Sequence, residues 1–160
     1  MRLSDTHEKY RASVKIVHLV LGVACIVLIG AAMLWGAWCW HRHQQSQLFW
    51  RLLRAGQAAV VVEVALGGVL VAIGKKESSL HLIYGLLPLA VSFLGEQLRI
   101  GSAQAVLDQR GFESAAAVGE LPEEEQRQVV AAIVNRELGV MVLTALVVFA
   151  LLIRAAGTGG

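Results

Sequence analysis

Charge is scarce in this sequence. Only 16% of its 160 residues are Asp, Glu, Lys or Arg, against 56% hydrophobic, where a soluble domain carries roughly 25% charged residues. So short a chain has too little interior to hide that apolar excess, so lipid or a partner must cover it. The formal charge is only +2. The basic residues flank apolar runs and form no stripe, which argues against nucleic-acid binding. Cysteine is nearly absent. Cys25 and Cys39 fall in one apolar run, about 21 Å apart along a helix axis, too far to bridge each other. No Cys-x-x-Cys occurs, so both read as small side chains facing core or lipid. A Gly-rich phosphate loop, a nucleophile elbow and zinc-ligand spacing are also missing. No catalytic residue is assigned, and an enzyme is not indicated.

Long apolar runs are what the sequence has in abundance. They cover residues 14–40, 52–74, 80–94 and 138–153. A helix needs about 20 residues to cross a hydrocarbon core. The first two runs meet that length, and the last two reach it with flanking residues. The first run is too long for a secretory signal, whose apolar region is about 7–15 residues. It ends in Trp35, Trp38 and Trp40, with Trp50 close behind, as in an interfacial aromatic belt. The expected fold is all-α: one polytopic membrane domain, residues 1–160, a bundle of four transmembrane helices at about 13–40, 51–74, 79–110 and 122–154.

The segment between the third and fourth runs reads as more than a loop. Helix three can continue through Glu96 and Arg99 toward Arg110, with Gly111 as a stop. Pro122 followed by Glu123, Glu124 and Glu125 suits the first turn of a new helix. Helix four then runs unbroken to about Arg154, roughly 50 Å at the standard rise. The two helices are expected to extend as an extramembrane helical hairpin with its tip at 111–121. Val129, Val130, Ile133 and Val134 form a stripe that covers the region around Leu98 to Leu107 or meets a partner.

With four crossings, both ends of the sequence and the 75–79 loop share one face. That face carries Arg2, Lys9, Arg11, Lys15, Lys75, Lys76 and Arg154. The other carries Arg42, Arg51, Arg54, Arg99, Arg110, Arg127 and Arg136. The counts tie, and only the lysine cluster leans both ends toward the cytoplasm in a multi-pass protein of the cell (inner) membrane. On helix two, Gly56, Ala59, Gly67 and Gly74 share a face with Glu63, and Ala58, Ala65, Gly68 and Ala72 form a second small face. Small residues admit close helix approach, so helix two is expected to be the most enclosed of the four.

Three polar residues within the runs can carry chemistry. Glu63 lies about 17 Å from either end of helix two. A carboxyl group at that depth is costly and marks a functional site by default; the bland alternative is a protonated Glu63 bonded to Ser92 or a backbone carbonyl. His18 and His81 open the first and third helices, which run in the same direction, so both can occupy one layer. Two imidazoles on separate helices can hold haem iron from both sides, with Lys15, Lys75 and Lys76 near the propionates. Against this stands the commoner fate of interfacial histidines, hydrogen bonding to headgroups, water or helix ends. His41 and His43 sit in a turn beside the tryptophans and read as solvated. Arg51 and Arg54 read as snorkelling cations, and Glu96 and Arg99 as an i,i+3 pair.

The stretch Leu80-His-Leu-Ile-Tyr-Gly85, preceded by a Gly-rich helix, resembles small four-helix membrane proteins of bacteria. Their layout is similar to the four-helix units of b-type cytochromes. Across about residues 14–100 the resemblance rests on His18, His81, Tyr84 and Gly85. It implies a haem b site using His18, His81 and Tyr84, with His18 and His81 on the iron. The pattern departs from those cytochromes in lacking a second histidine within the same helix. Three readings follow. The first is a non-enzymatic accessory or scaffold subunit, partnered by the lipid bilayer and by other membrane subunits or further copies of itself. The second is a haem- or quinone-linked electron carrier. The third is a proton- or solute-coupled transporter centred on Glu63, which four helices serve poorly without oligomerisation.

Overall fold

The computed structural model describes residues 2–74 and 78–158, with side chains from Ser13 onward. Lys75 and Lys76, and the side chains of Arg2, Lys9 and Arg11, lie outside the described residues. Among the described residues there are five helices: α1 (Arg2–His41), α2 (Gln47–Ala72), α3 (Ser79–Gln109), α4 (Ala115–Gly119) and α5 (Glu123–Thr158). Among the described residues there is no strand. Four of the helices, all but α4, are long and apolar enough to cross a membrane.

Helix ends follow local chemistry. Ser46 caps α2 by accepting from the Phe49 N–H at 3.3 Å, which starts the helix four residues before the expected 51. Ser78 caps α3 in the same way, accepting from the His81 N–H at 3.1 Å. Gly74 and Gly111 take φ values of +86° and +77° just beyond α2 and α3, where a left-handed residue closes the last turn. The α1 helix begins well before residue 13, because apolar content bounds a membrane span while only Gly, Pro or a cap bounds a helix. Pro88 stays inside α3, buried. Its missing N–H leaves no bond to the Tyr84 carbonyl, a loss that long apolar helices tolerate.

Glycines facing large side chains set the helix register. Between α1 and α2, a Cβ on Gly22 would lie 2.9 Å from Glu63 Oε1, one on Gly56 would lie 2.6 Å from Ile29 Cδ1, and one on Gly36 would lie 2.5 Å from Phe49 Cε2. These contacts step by seven residues up α1 and down α2, the period of antiparallel coiled-coil packing. Against α5, Gly30 receives the Phe149 ring and Gly139 receives the Trp40 indole, while Gly95 of α3 lies against Thr144. Such close fits bring the helix backbones together at each of these crossings.

The most enclosed helix is α5, not α2 as the small-residue faces suggest. Half of the most apolar stretch of α5 is buried (50%), against 17% for α2. α5 packs extensively on both α1 and α3, while α2 and α3 touch little. The first small face of α2 does meet α1, but Ala58, Ala65, Gly68 and Ala72 all lie exposed. A core of Cys25, Ile29, Phe49, Leu53, Val60, Leu138, Met141 and Val148 fills the α1–α2–α5 interior. Toward the far end of α3, a smaller cluster joins Leu107, Val118 and Val129. There residues 111–121 form no bare loop. Ser114 caps α4, and Val118 turns inward. Val130 and Leu98, placed in sequence on the covered stripe, point outward at 54% and 66% exposure.

Candidate functional site

Polar side chains are few in the interior, and the sequence-expected ones meet toward the end of the bundle where α3 begins and α2 and α5 end. His18 Nδ1 lies 3.1 Å from Glu63 Oε1. The His18 and His81 rings face each other with centroids 6.2 Å apart and planes at 80°. His81 Nδ1 lies 3.0 Å from the Ala155 carbonyl oxygen. Four helices thus contribute to one layer: α1 through His18, α2 through Glu63, α3 through His81 and α5 through a backbone oxygen.

Each contact has a local cause. Glu63 reaches His18 because Gly22, one turn beyond His18, has no side chain in the way. The His18 ring packs against α2 at Gly67, one turn beyond Glu63, where a Cβ would make an ordinary contact of 3.6 Å with His18 Cε1. Ala155 lies in the last turn of α5, whose final four carbonyls have no intrahelical donor, so its oxygen is free to accept from outside the helix. Thr158 Oγ1 also donates to it, at 3.0 Å. Because a carbonyl carries no proton, His81 Nδ1 must be the donor. The neutral ring then keeps its lone pair on Nε2.

The side chains of His18 and Glu63 are 21% and 16% exposed, so the layer is sheltered but reachable. Among the described residues, Glu63 Oε2 has no hydrogen-bond partner, which leaves the expected bond to Ser92 or to a backbone carbonyl unmade. Tyr84, expected beside the histidines, has the Arg154 guanidinium 5.7 Å from its ring centre. Arg154 precedes Ala155 near the end of α5. Sequence reasoning had only counted it as a surface charge. Lys15 is exposed. Among the described residues, no group of three or more His, Cys, Asp or Glu side chains is placed to hold a metal ion.

A second polar cluster marks the other end of α2. Glu96 of α3 binds Arg54 through both carboxylate oxygens, accepts from Gln57 Nε2 at 3.0 Å and from Arg99 Nε at 3.0 Å. Arg99 also reaches Glu137 of α5 at 3.5 Å, and both guanidiniums flank the Trp50 ring. The sequence showed only the Glu96–Arg99 pair. With every member partnered, this cluster ties α2, α3 and α5 together and offers no open group for chemistry. His43 pairs with Asn135 at 3.2 Å, and His41 is exposed, which leaves both apart from the histidine layer. No protein-family model, no curated protein and no solved structure matches this chain.

Proposed function

We propose that this chain is a small integral membrane protein, crossing the bilayer four times, that acts as a non-enzymatic subunit and binds a ligand at the His18–Glu63–His81 layer. The observation that carries the reading is the convergence of three polar side chains from three helices at one end of the bundle. Large apolar side chains such as Leu19, Leu34 and Phe93, 69%, 68% and 63% exposed, would face lipid. The Trp50–Arg54–Glu96–Arg99 cluster would sit at one membrane surface. Beyond it α3 and α5 would continue into water as a hairpin topped by α4, where a partner subunit can dock. Both ends of the sequence would lie on the face nearest the histidines, the cytoplasmic side of the cell membrane.

Replacing the polar pair tests whether the layer serves binding or stability. Replacing a sheltered polar pair by well-packed apolar side chains of similar size is commonly neutral or stabilising. The double variant His18→Leu, Glu63→Leu should therefore melt at or above the wild-type temperature in detergent. A large fall in its melting temperature would mean that the layer is there to hold the helices together.

A further inference from the structure

We infer that residues 79–87 of α3 form a hinged arm, which turns on Pro88 and carries His81 out of the layer. The inference rests on the reading above only in calling the layer a ligand site. The motion itself stands on three observations.

The first is a change of packing within one helix. The buried residues of α3 are Pro88, Ser92, Gly95, Ser102, Val106 and Leu107. None of them precedes Pro88. Before that point Leu80, Ile83 and Leu86 are exposed, and no buried side chain anchors these turns to the rest of the described residues. From Pro88 onward the helix is fixed. Leu89 and Val91 pack on the α1–α2–α5 core, Gly95 lies too close to Thr144 to admit a Cβ, and Glu96 binds Arg54 of α2.

The second is the joint. Pro88 has no N–H, so the helix lacks its bond to the Tyr84 carbonyl at the boundary between the two parts. Gly85 lies within the same turn, and a Cβ there would meet nothing within 4 Å. Sharp helix kinks, of more than about 20°, occur at proline. The arm is about 14 Å long at the standard rise. A kink of about 20° would move its tip by about 5 Å and His81 by about 3–4 Å, which is enough to break a hydrogen bond.

The third is the fastening. His81 Nδ1 donates to the Ala155 carbonyl at 3.0 Å. Ser78 Oγ donates to the Thr158 carbonyl at 3.1 Å while accepting from the His81 N–H. The Arg154 guanidinium lies against the Tyr84 ring. All three contacts end on the last residues of α5. Hydrogen bonds of this kind exchange for others at little net cost when a replacement partner is at hand. The Ala155 oxygen has one, because Thr158 Oγ1 already donates to it at 3.0 Å. The arm can therefore release without stripping a buried apolar surface.

His81 is the member of the layer that travels. His18 and Glu63 belong to α1 and α2, whose crossing is set by Gly22 and Gly56. In the closed form the His81 ring stands edge-on to His18, with centroids 6.2 Å apart, and covers that side of the pair. Opening the arm uncovers it.

The test is the distance between two spin labels, measured by double electron–electron resonance in protein whose Cys25 and Cys39 are replaced by alanine. One pair, Leu80→Cys with Ile153→Cys, spans the arm and α5. The control pair, Leu94→Cys with Leu146→Cys, lies beyond the joint. The arm pair should show a second, longer distance. His81→Phe, which keeps a ring but removes the donor, should raise the share of that component. Pro88→Ala, which restores the missing N–H, should remove it. The control pair should keep one distance in all three proteins. A single arm distance in both the wild type and His81→Phe overturns the inference, and so does a longer component that Pro88→Ala leaves unchanged. No ligand enters this measurement, so its failure is separate from that of the binding reading, which falls if the His18→Leu, Glu63→Leu variant collapses.

Discussion

Gly36 is a position at which this bundle has little slack, and a single methyl group measures it. A Cβ there would stand 2.5 and 2.6 Å from two carbons of the Phe49 ring and 2.8 Å from Val142 Cγ2. Carbon atoms prefer about 3.5–4.0 Å, so the ring and the valine must each withdraw by about 1 Å. Neither has anywhere to go: Phe49 is 0% exposed and Val142 5%, and Phe49 is braced edge-on against Trp50 with centroids 5.0 Å apart. Overpacking of this kind costs about 1–3 kcal/mol. Alanine returns about 0.8–1.0 kcal/mol through its better helix propensity. The net expectation for Gly36→Ala is a loss of up to about 2 kcal/mol. Gly85→Ala is the matched control, because a Cβ there meets nothing within 4 Å and only the propensity gain remains. Cys25 and Cys39 are free, buried thiols, so a thiol-reactive dye reports thermal unfolding in detergent without any added label. Gly36→Ala should melt below wild type and Gly85→Ala at or above it. Equal or reversed shifts would refute the α1–α2–α5 register derived from the glycine contacts.

Three further substitutions probe the polar groups and the α3–α5 segment. Glu63→Gln should leave the melting temperature nearly unchanged, whereas Glu63→Lys should cost about 2.5–3.5 kcal/mol or more because it sets a cation beside His18 in the space over Gly22; a lysine variant as stable as wild type would place residue 63 in water. Glu96→Ala removes the shared acceptor of Arg54, Gln57 and Arg99. With Arg54 48% exposed the loss should stay near 1 kcal/mol and shrink with added salt, and a salt-independent loss would mean packing and not charge. Ala132→Pro breaks α5 beside the Leu107–Val118–Val129 cluster and should cost about 3 kcal/mol; hydrogen exchange should quicken across 98–137 and stay slow in α1 and α2, and a uniform change would show that the segment does not fold as a separate unit.

The long elements were legible because each rests on a local signal. The apolar runs gave four helices long enough to cross a membrane, and Gly111 and Pro122 gave the break between α3 and α5. The juxtaposition of His18 and His81 followed from counting directions alone, since helices one and three must run the same way. The Glu63–His18 contact did not follow, because it depends on the register of α1 against α2. That register is written in the seven-residue steps Gly22–Ile29–Gly36 and Phe49–Gly56–Glu63, each pairing a glycine with bulk across the interface, and it emerges only when the two helices are read against each other. The centrality of α5 was hidden for a different reason. Small residues permit close approach but do not require it, so the second small face of α2 carries no information about whether a neighbour covers it. Ala155 could not be read at all, because it contributes a backbone oxygen, and any residue in the last turn of α5 has one.

Four crossings are the premise of the proposed membrane arrangement, and labelling in intact cells tests that premise most directly. Cys25 and Cys39 are first replaced by alanine. Single cysteines are then placed at Gln45, Ser78, Glu120 and Thr158 and exposed to a membrane-impermeant maleimide before and after the membrane is opened. The account predicts two groups: Gln45 and Glu120 label together from outside, and Ser78 and Thr158 label only once the membrane is breached. Labelling of Gln45 and Thr158 from the same side, or of all four positions alike, would contradict it.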